Sequence, residues 1–83
     1  VDRHQVRAAL LAAGLSPDAF ALEGVHEQVP VPPDFWFLRR APGGGWEIGL
    51  YERGGYDVRQ RFGTEEEACA GLWQALTGRP APP

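Results

Sequence analysis

From Phe35 to Leu76 the apolar residues follow two different periods. In FWFLRR, WEIGLYE and YDVRQRF they alternate every second residue, the spacing of a half-buried strand. In TEEEACAGLWQAL they recur every third or fourth residue, the spacing of a helix. Two glycine-rich segments, Ala41–Gly45 and Arg53–Gly55, separate the alternating runs and predict hairpin loops. Closing the first loop on Arg40 and Trp46 sets Leu38 opposite Ile48, Trp36 opposite Leu50, Phe35 opposite Tyr51 and Phe37 opposite Gly49. Reading Arg53-Gly54-Gly55 as a three-residue loop sets Glu52 opposite Tyr56 and Leu50 opposite Val58. The predicted core face then carries Trp36, Leu38, Trp46, Ile48, Leu50, Tyr56, Val58 and Phe62. The opposite face carries Phe35, Phe37, Arg39, Glu47, Gly49, Tyr51, Arg53, Asp57, Arg59 and Arg61. A slip of one residue would exchange the two sets, so burial of either face selects the register.

The flanks complete the architecture. Asp2 reads as a helix N-cap, with Arg3 to Ala13 helical and Val6, Ala9, Leu10 and Ala13 on one face. Gly14-Leu15 is a helix-ending pair. Ser16-Pro17-Asp18 reads as a single capped turn. Phe20 and Leu22 alternate with Ala21 and offer a short additional strand. Residues 24–34 hold three prolines and predict a loop of polyproline II character. Thr64 to Glu67 is a T-x-x-E capping box, Ala68, Cys69, Leu72, Trp73 and Leu76 form an apolar stripe, and Gly78 ends the helix. The expected fold is α+β: a three-stranded antiparallel meander, extendable to four strands, with two helices on one face in the order α-(β)-β-β-β-α. Residues 1–78 are expected to form a single domain and 79–83 a flexible Pro-rich tail.

Composition narrows the function classes. The net charge of −3 argues against binding nucleic acid, whose phosphates need a basic surplus. No apolar run reaches the roughly 20 residues of a membrane span, so the expected location is cytoplasmic and no membrane partner is expected. All eight basic residues are arginine, and Lys, Asn and Met are absent, which is the codon signature of a high-GC, bacterial genome. The single cysteine excludes an internal disulfide. Cys69 lies in the apolar stripe and reads as a small buried hydrophobe. His4 and His26 share no motif with it, so no metal site and no cofactor are expected. Gly43-Gly44-Gly45 joins strand to strand, whereas a phosphate loop joins strand to helix. Pro30 to Pro33 matches a PxxP pattern, but such matches are common and a plain loop is the expected reading; Glu65-Glu66-Glu67 suits the positive end of a helix. No acid–base pair shares a predicted geometry, so the chain reads as a non-enzyme.

The face away from the helices is the remaining candidate. Phe35, Phe37 and Tyr51, surrounded by Arg39, Arg53, Arg59 and Arg61, have the composition of a protein interface. These seven residues are the expected partner-binding set, with Gly49 leaving a hollow beside Phe37. The competing expectation is that residues 19–33 fold over this face and bury its rings. The stretches Trp46-Glu47-Ile48-Gly49-Leu50-Tyr51-Glu52-Arg53-Gly54 and Phe62-Gly63-Thr64-Glu65-Glu66-Glu67-Ala68-Cys69 resemble small proteins of high-GC actinobacteria. Those proteins are associated with polymorphic toxin loci, particularly NAD-glycohydrolase toxins of the necrotizing-toxin type. The stretches that carry the resemblance are 17 of the 83 residues; the chain differs from the pattern at Gly49 and in its Pro-rich segment 29–33. It implies an immunity protein that occludes a toxin's active site and brings no catalytic residues with it. The alternatives are a generic accessory or regulatory interaction domain, and a double-stranded-RNA-binding-like domain suggested by the α–β–β–β–α order. For the latter the acidic start of the last helix is unfavourable, since that end would have to meet phosphates.

Overall fold

The computed structural model describes residues 2–27 and 33–79. Helix α1 spans Arg3–Ala12 and a single 3-10 turn spans Pro17–Ala19. Strands β1 (Phe20–Leu22), β2 (Asp34–Arg40), β3 (Trp46–Glu52) and β4 (Gly55–Phe62) follow, and helix α2 (Glu65–Thr77) closes the chain. The strands form one sheet in sequence order, antiparallel from β2 to β4 but parallel between β1 and β2. The fold is thus α+β with a four-stranded mixed sheet, which corrects the expectation of a purely antiparallel meander. The reason lies in the connection. Leu22 and His26 close a tight turn with paired backbone hydrogen bonds of 2.8 Å, so the chain after β1 pairs back on Leu22, and β1 lies along β2 in the same direction, Phe20 beside Trp36 and Leu22 beside Leu38.

Local signals place the elements. The Asp2 carboxylate accepts the Gln5 amide and the Gln5 side chain accepts the Asp2 amide, both at 2.8 Å, a reciprocal cap on α1. At its other end, the Leu15 amide donates to the Leu10 carbonyl and that of Gly14 to Leu11, satisfying carbonyls that the helix leaves free. Ser16 caps the 3-10 turn through the Asp18 amide. Thr64 caps α2 through the Glu67 amide, while its hydroxyl donates to the Glu67 carboxylate. Gly78 ends α2.

The register between β2 and β3 is the expected one at every pair. That between β3 and β4 is not. Arg53 (φ 53°) and Gly54 (φ 79°) are both left-handed, a two-residue type I′ turn whose twist matches the strands it joins. Gly55 therefore stands opposite Glu52, Tyr56 opposite Tyr51 and Val58 opposite Gly49. This turns Tyr56 and Val58 out of the predicted core face and moves Asp57 to the other side. A bulge beside Ile48 and Gly49 inserts one residue and restores the parity, so Arg61 opposes Glu47 and Phe62 opposes Trp46, on their predicted faces.

The core lies between the sheet and both helices. Val6 and Leu10 of α1, Phe20 and Leu22 of β1, Leu38, Ile48, and Ala68, Cys69, Leu72 and Trp73 of α2 form one buried cluster. Each such large side chain contributes about 1.5–3 kcal/mol by leaving water. Trp36, Trp46 and Phe62 pack at its margin. Leu50 and Val58, expected among the mutually packed residues, do not belong to the cluster. A Cβ on Gly71 would stand 2.5 Å from the Phe62 ring, so this glycine lets α2 settle on the sheet. Residues 1, 28–32 and 80–83 lie outside the described residues, and with them five of the eleven residues of the predicted polyproline II segment, its PxxP match up to Pro32 and the predicted tail beyond Arg79.

Candidate functional site

Side chains alternate across a strand, so the residues between the core positions of β2 and β3 share the open face of the sheet. Four rings meet there. Phe35 stacks on Tyr51 (centroids 4.8 Å apart, 19° between planes), Tyr51 meets Tyr56 at 4.8 Å, and Phe37 meets Tyr56 edge-on at 5.1 Å. Offset-stacked and edge-to-face pairs of this kind add about 0.5–1.5 kcal/mol beyond their burial. The Arg39 guanidinium covers both Phe37 (4.8 Å) and Tyr56 (4.5 Å).

Arg39 is in turn held by Glu47. Its Nε donates to Glu47 Oε1 at 2.7 Å, and Arg61 Nε reaches Glu47 Oε2 at 3.4 Å from the neighbouring strand. Glu47 is 1% exposed, and a carboxylate so buried requires partners of this kind. The cross-strand row Arg39–Glu47–Arg61 follows from register alone. What the alternation does not reveal is that its central carboxylate is buried.

The seven expected partner-binding residues therefore divide. Phe35 and Phe37 are buried, at 7% and 3% exposure, and Tyr51 is half-buried. They form the floor of the face, which corrects the picture of three exposed aromatics. Tyr56, which the sequence reading assigned to the core, is the exposed ring at 54%, because the two-residue turn reverses its side of the sheet. Arg39 and Arg61 join the cluster through Glu47. Arg59 instead pairs with Asp57 at 2.9 Å; Asp57 stands opposite Leu50 and so on the helix side of the sheet. Arg53 is exposed at the hairpin tip. The hollow expected at Gly49 is absent: a Cβ there would lie 2.9 Å from Phe37 Cζ and 2.0 Å from the Asp57 carbonyl oxygen.

A cavity of about 340 Å³ opens beside these rings, lined by Ala21, Glu23, Glu27, Phe37, Arg39 and Tyr56 among others. Ala21 pairs with Phe37 across β1 and β2, which brings the turn after β1 to the edge of the open face. That turn is anchored: the Glu23 carboxylate accepts the Arg40 amide at 2.9 Å, and the Glu23 amide donates to the Leu38 carbonyl at 3.0 Å. His26 braces it from behind, its ring stacked on Phe20 at 4.7 Å and its Nε2 2.8 Å from the Pro17 carbonyl.

The remaining candidates belong to the scaffold. Cys69 is fully buried, and burial pushes its thiol up to about 11, the opposite of an activated nucleophile. No group of three potential metal ligands gathers among the described residues. Among them, too, no helix is long and apolar enough to cross a membrane. Glu65 does more than complement a helix end: its carboxylate accepts both the Arg3 amide and the Arg3 Nε, each at 2.9 Å, tying α2 to the start of α1. No family model, curated protein or solved structure matches the chain.

Proposed function

We propose that this chain is a non-enzymatic protein-binding domain that meets its partner through the open face of the sheet. We further propose that the partner is a toxin domain whose active-site cleft this face occludes in the bacterial cytoplasm. The observation that carries the reading is Tyr56, an exposed ring packed on the buried Phe37 and the half-buried Tyr51 and covered by the Arg39 guanidinium, which Glu47 links to the exposed Arg61 (74% exposed). A rigid aromatic beside arginine loses little freedom on binding, and such residues dominate interface energetics. Arg53 and Arg61 suit an acidic cleft, and charge steering would speed capture. The toxin itself is supported by the resemblance of residues 46–54 and 62–69 to immunity-type proteins.

Co-expression with the product of the neighbouring gene tests the proposal. Wild type should restore growth. A Tyr56→Ala, Arg61→Glu variant that melts like wild type should not. Equal protection by both would move the interface off this face, and no protection or complex with wild type would remove the toxin reading.

A further inference from the structure

We propose that the cavity at the β1 end of the open face receives a basic side chain of the partner protein. This rests on the reading that the open face is the interface, and it specifies what that interface selects. Three observations converge. The cavity, at about 340 Å³, reaches the lower range of ligand-binding clefts and cavities, about 300–1,000 Å³. Its floor is aromatic, formed by Phe35, Phe37 and Tyr56. Two of these rings accept the guanidinium of Arg39 on one face, which shows their affinity for a planar cation, and a second cation would take the remaining ring surface, including that of Phe35.

The third observation is the charge balance. Among the lining residues the acids are Glu23 and Glu27, and the base is Arg39. Arg39 is neutralised by the buried Glu47 at 2.7 Å. Arg40 meets Glu23 through its backbone amide, and its guanidinium lies over Trp46 instead. Arg3 donates to the Glu23 carbonyl, but its charge is matched by Glu65. Arg7 donates to His26 Nδ1, and among the described residues neither rim carboxylate, Glu23 nor Glu27, forms an ion pair. An acidic rim over an aromatic floor favours a cation and repels an acidic side chain. The face then reads two signs of charge: the exposed arginines toward β4 take acidic groups, and the cavity beside β1 takes a basic one. Paired requirements of opposite sign select one docking orientation.

The test uses the intact chain, isotopically labelled, titrated with N-acetyl-arginine amide and with N-acetyl-glutamate amide at millimolar concentration. The arginine probe should shift the amide resonances of Ala21, Phe37 and Tyr56, and the glutamate probe should not. The Glu23→Gln, Glu27→Gln double variant removes both charges yet keeps an oxygen for the Arg40 amide; it should bind the arginine probe about fivefold more weakly. Equal shifts from the two probes, shifts centred elsewhere, or wild-type affinity in the double variant would overturn the proposal. Growth protection separates the two levels. If Tyr56→Ala with Arg61→Glu abolishes protection while the double variant protects and binds the arginine probe as wild type does, the cavity proposal fails and the interface stands. If the arginine probe binds as expected but no substitution on the face alters protection, the interface reading fails and the cavity site stands.

Discussion

Gly49 shows how closely a single position can be constrained. It lies where β4 bulges, and the Asp57 carbonyl approaches so nearly that a Cβ would stand 2.0 Å from its oxygen. Backbone occupies one side and the Phe37 ring the other, so neither a rotamer change nor a small tilt makes room. Gly49→Ala is expected to destabilise by about 1–3 kcal/mol through overpacking, read as a lowered urea midpoint. Gly63→Ala is the comparison, because its Cβ would meet nothing closer than 3.8 Å; it should stay within about 0.5 kcal/mol of wild type. Equal midpoints for the two variants would show that the bulge gives way. Trp73 carries the opposite kind of constraint. Its indole Nε1 is buried without a hydrogen-bond partner among the described residues, a cost of about 1–3 kcal/mol that the burial of its large ring has to outweigh.

Between elements, the link from Glu65 to Arg3 makes the helix pair sensitive to acid. Glu65 is held below the ordinary value of 4.5, first by the hydrogen bond from the Arg3 backbone N–H, with the guanidinium's bond and charge adding to it and partial burial opposing. A carboxyl whose value is lower folded than unfolded stabilises the fold fully above its unfolded value. That contribution is lost as pH falls through the lower folded value. Stability should therefore decline below about pH 4.5. Glu65→Gln should flatten that part of the profile and lower stability at neutral pH, since the amide oxygen can accept the bonds but brings no charge. Thermal melts of both proteins across the acid range check this, and an unchanged slope in the variant would assign the decline to other carboxylates.

For the molecule as a whole, charge and its placement bear on the nucleic-acid alternative. The net charge is −3, and the start of α2 carries Glu65, Glu66 and Glu67, where an RNA-binding helix would need bases to meet phosphates. The exposed arginines of β4, Arg59 and Arg61, lie on a different element, and both are partnered by acids, Asp57 and Glu47. Duplex RNA is expected to remain unshifted in gels at micromolar protein and low salt. A shift that weakens steeply with added salt would reverse this expectation, because phosphate contacts release counterions. The shape of the sheet supports use of its face over its edge: β4 is an outer strand, but its bulge, Asp57, Arg59 and Arg61 interrupt the flat, uncharged edge that strand addition requires.

What the amino-acid sequence determined by itself is the part written in adjacent residues. The caps at Asp2, Ser16 and Thr64, the helix stop at Gly78 and the β2–β3 register all follow from alternation, loop length and local hydrogen bonding, which act over a few residues. The tertiary structure decided the rest. Arg53-Gly54-Gly55 suits a two-residue or a three-residue turn, and only pairing with β3 chose the first, sending Tyr56 to the open face. The parallel placement of β1, the burial of Phe35 and Phe37, and the capture of Glu65 by Arg3 depend on residues distant in the chain. Those choices minimise exposed apolar area and unpaired charge over the whole molecule, and no local spacing encodes that minimum.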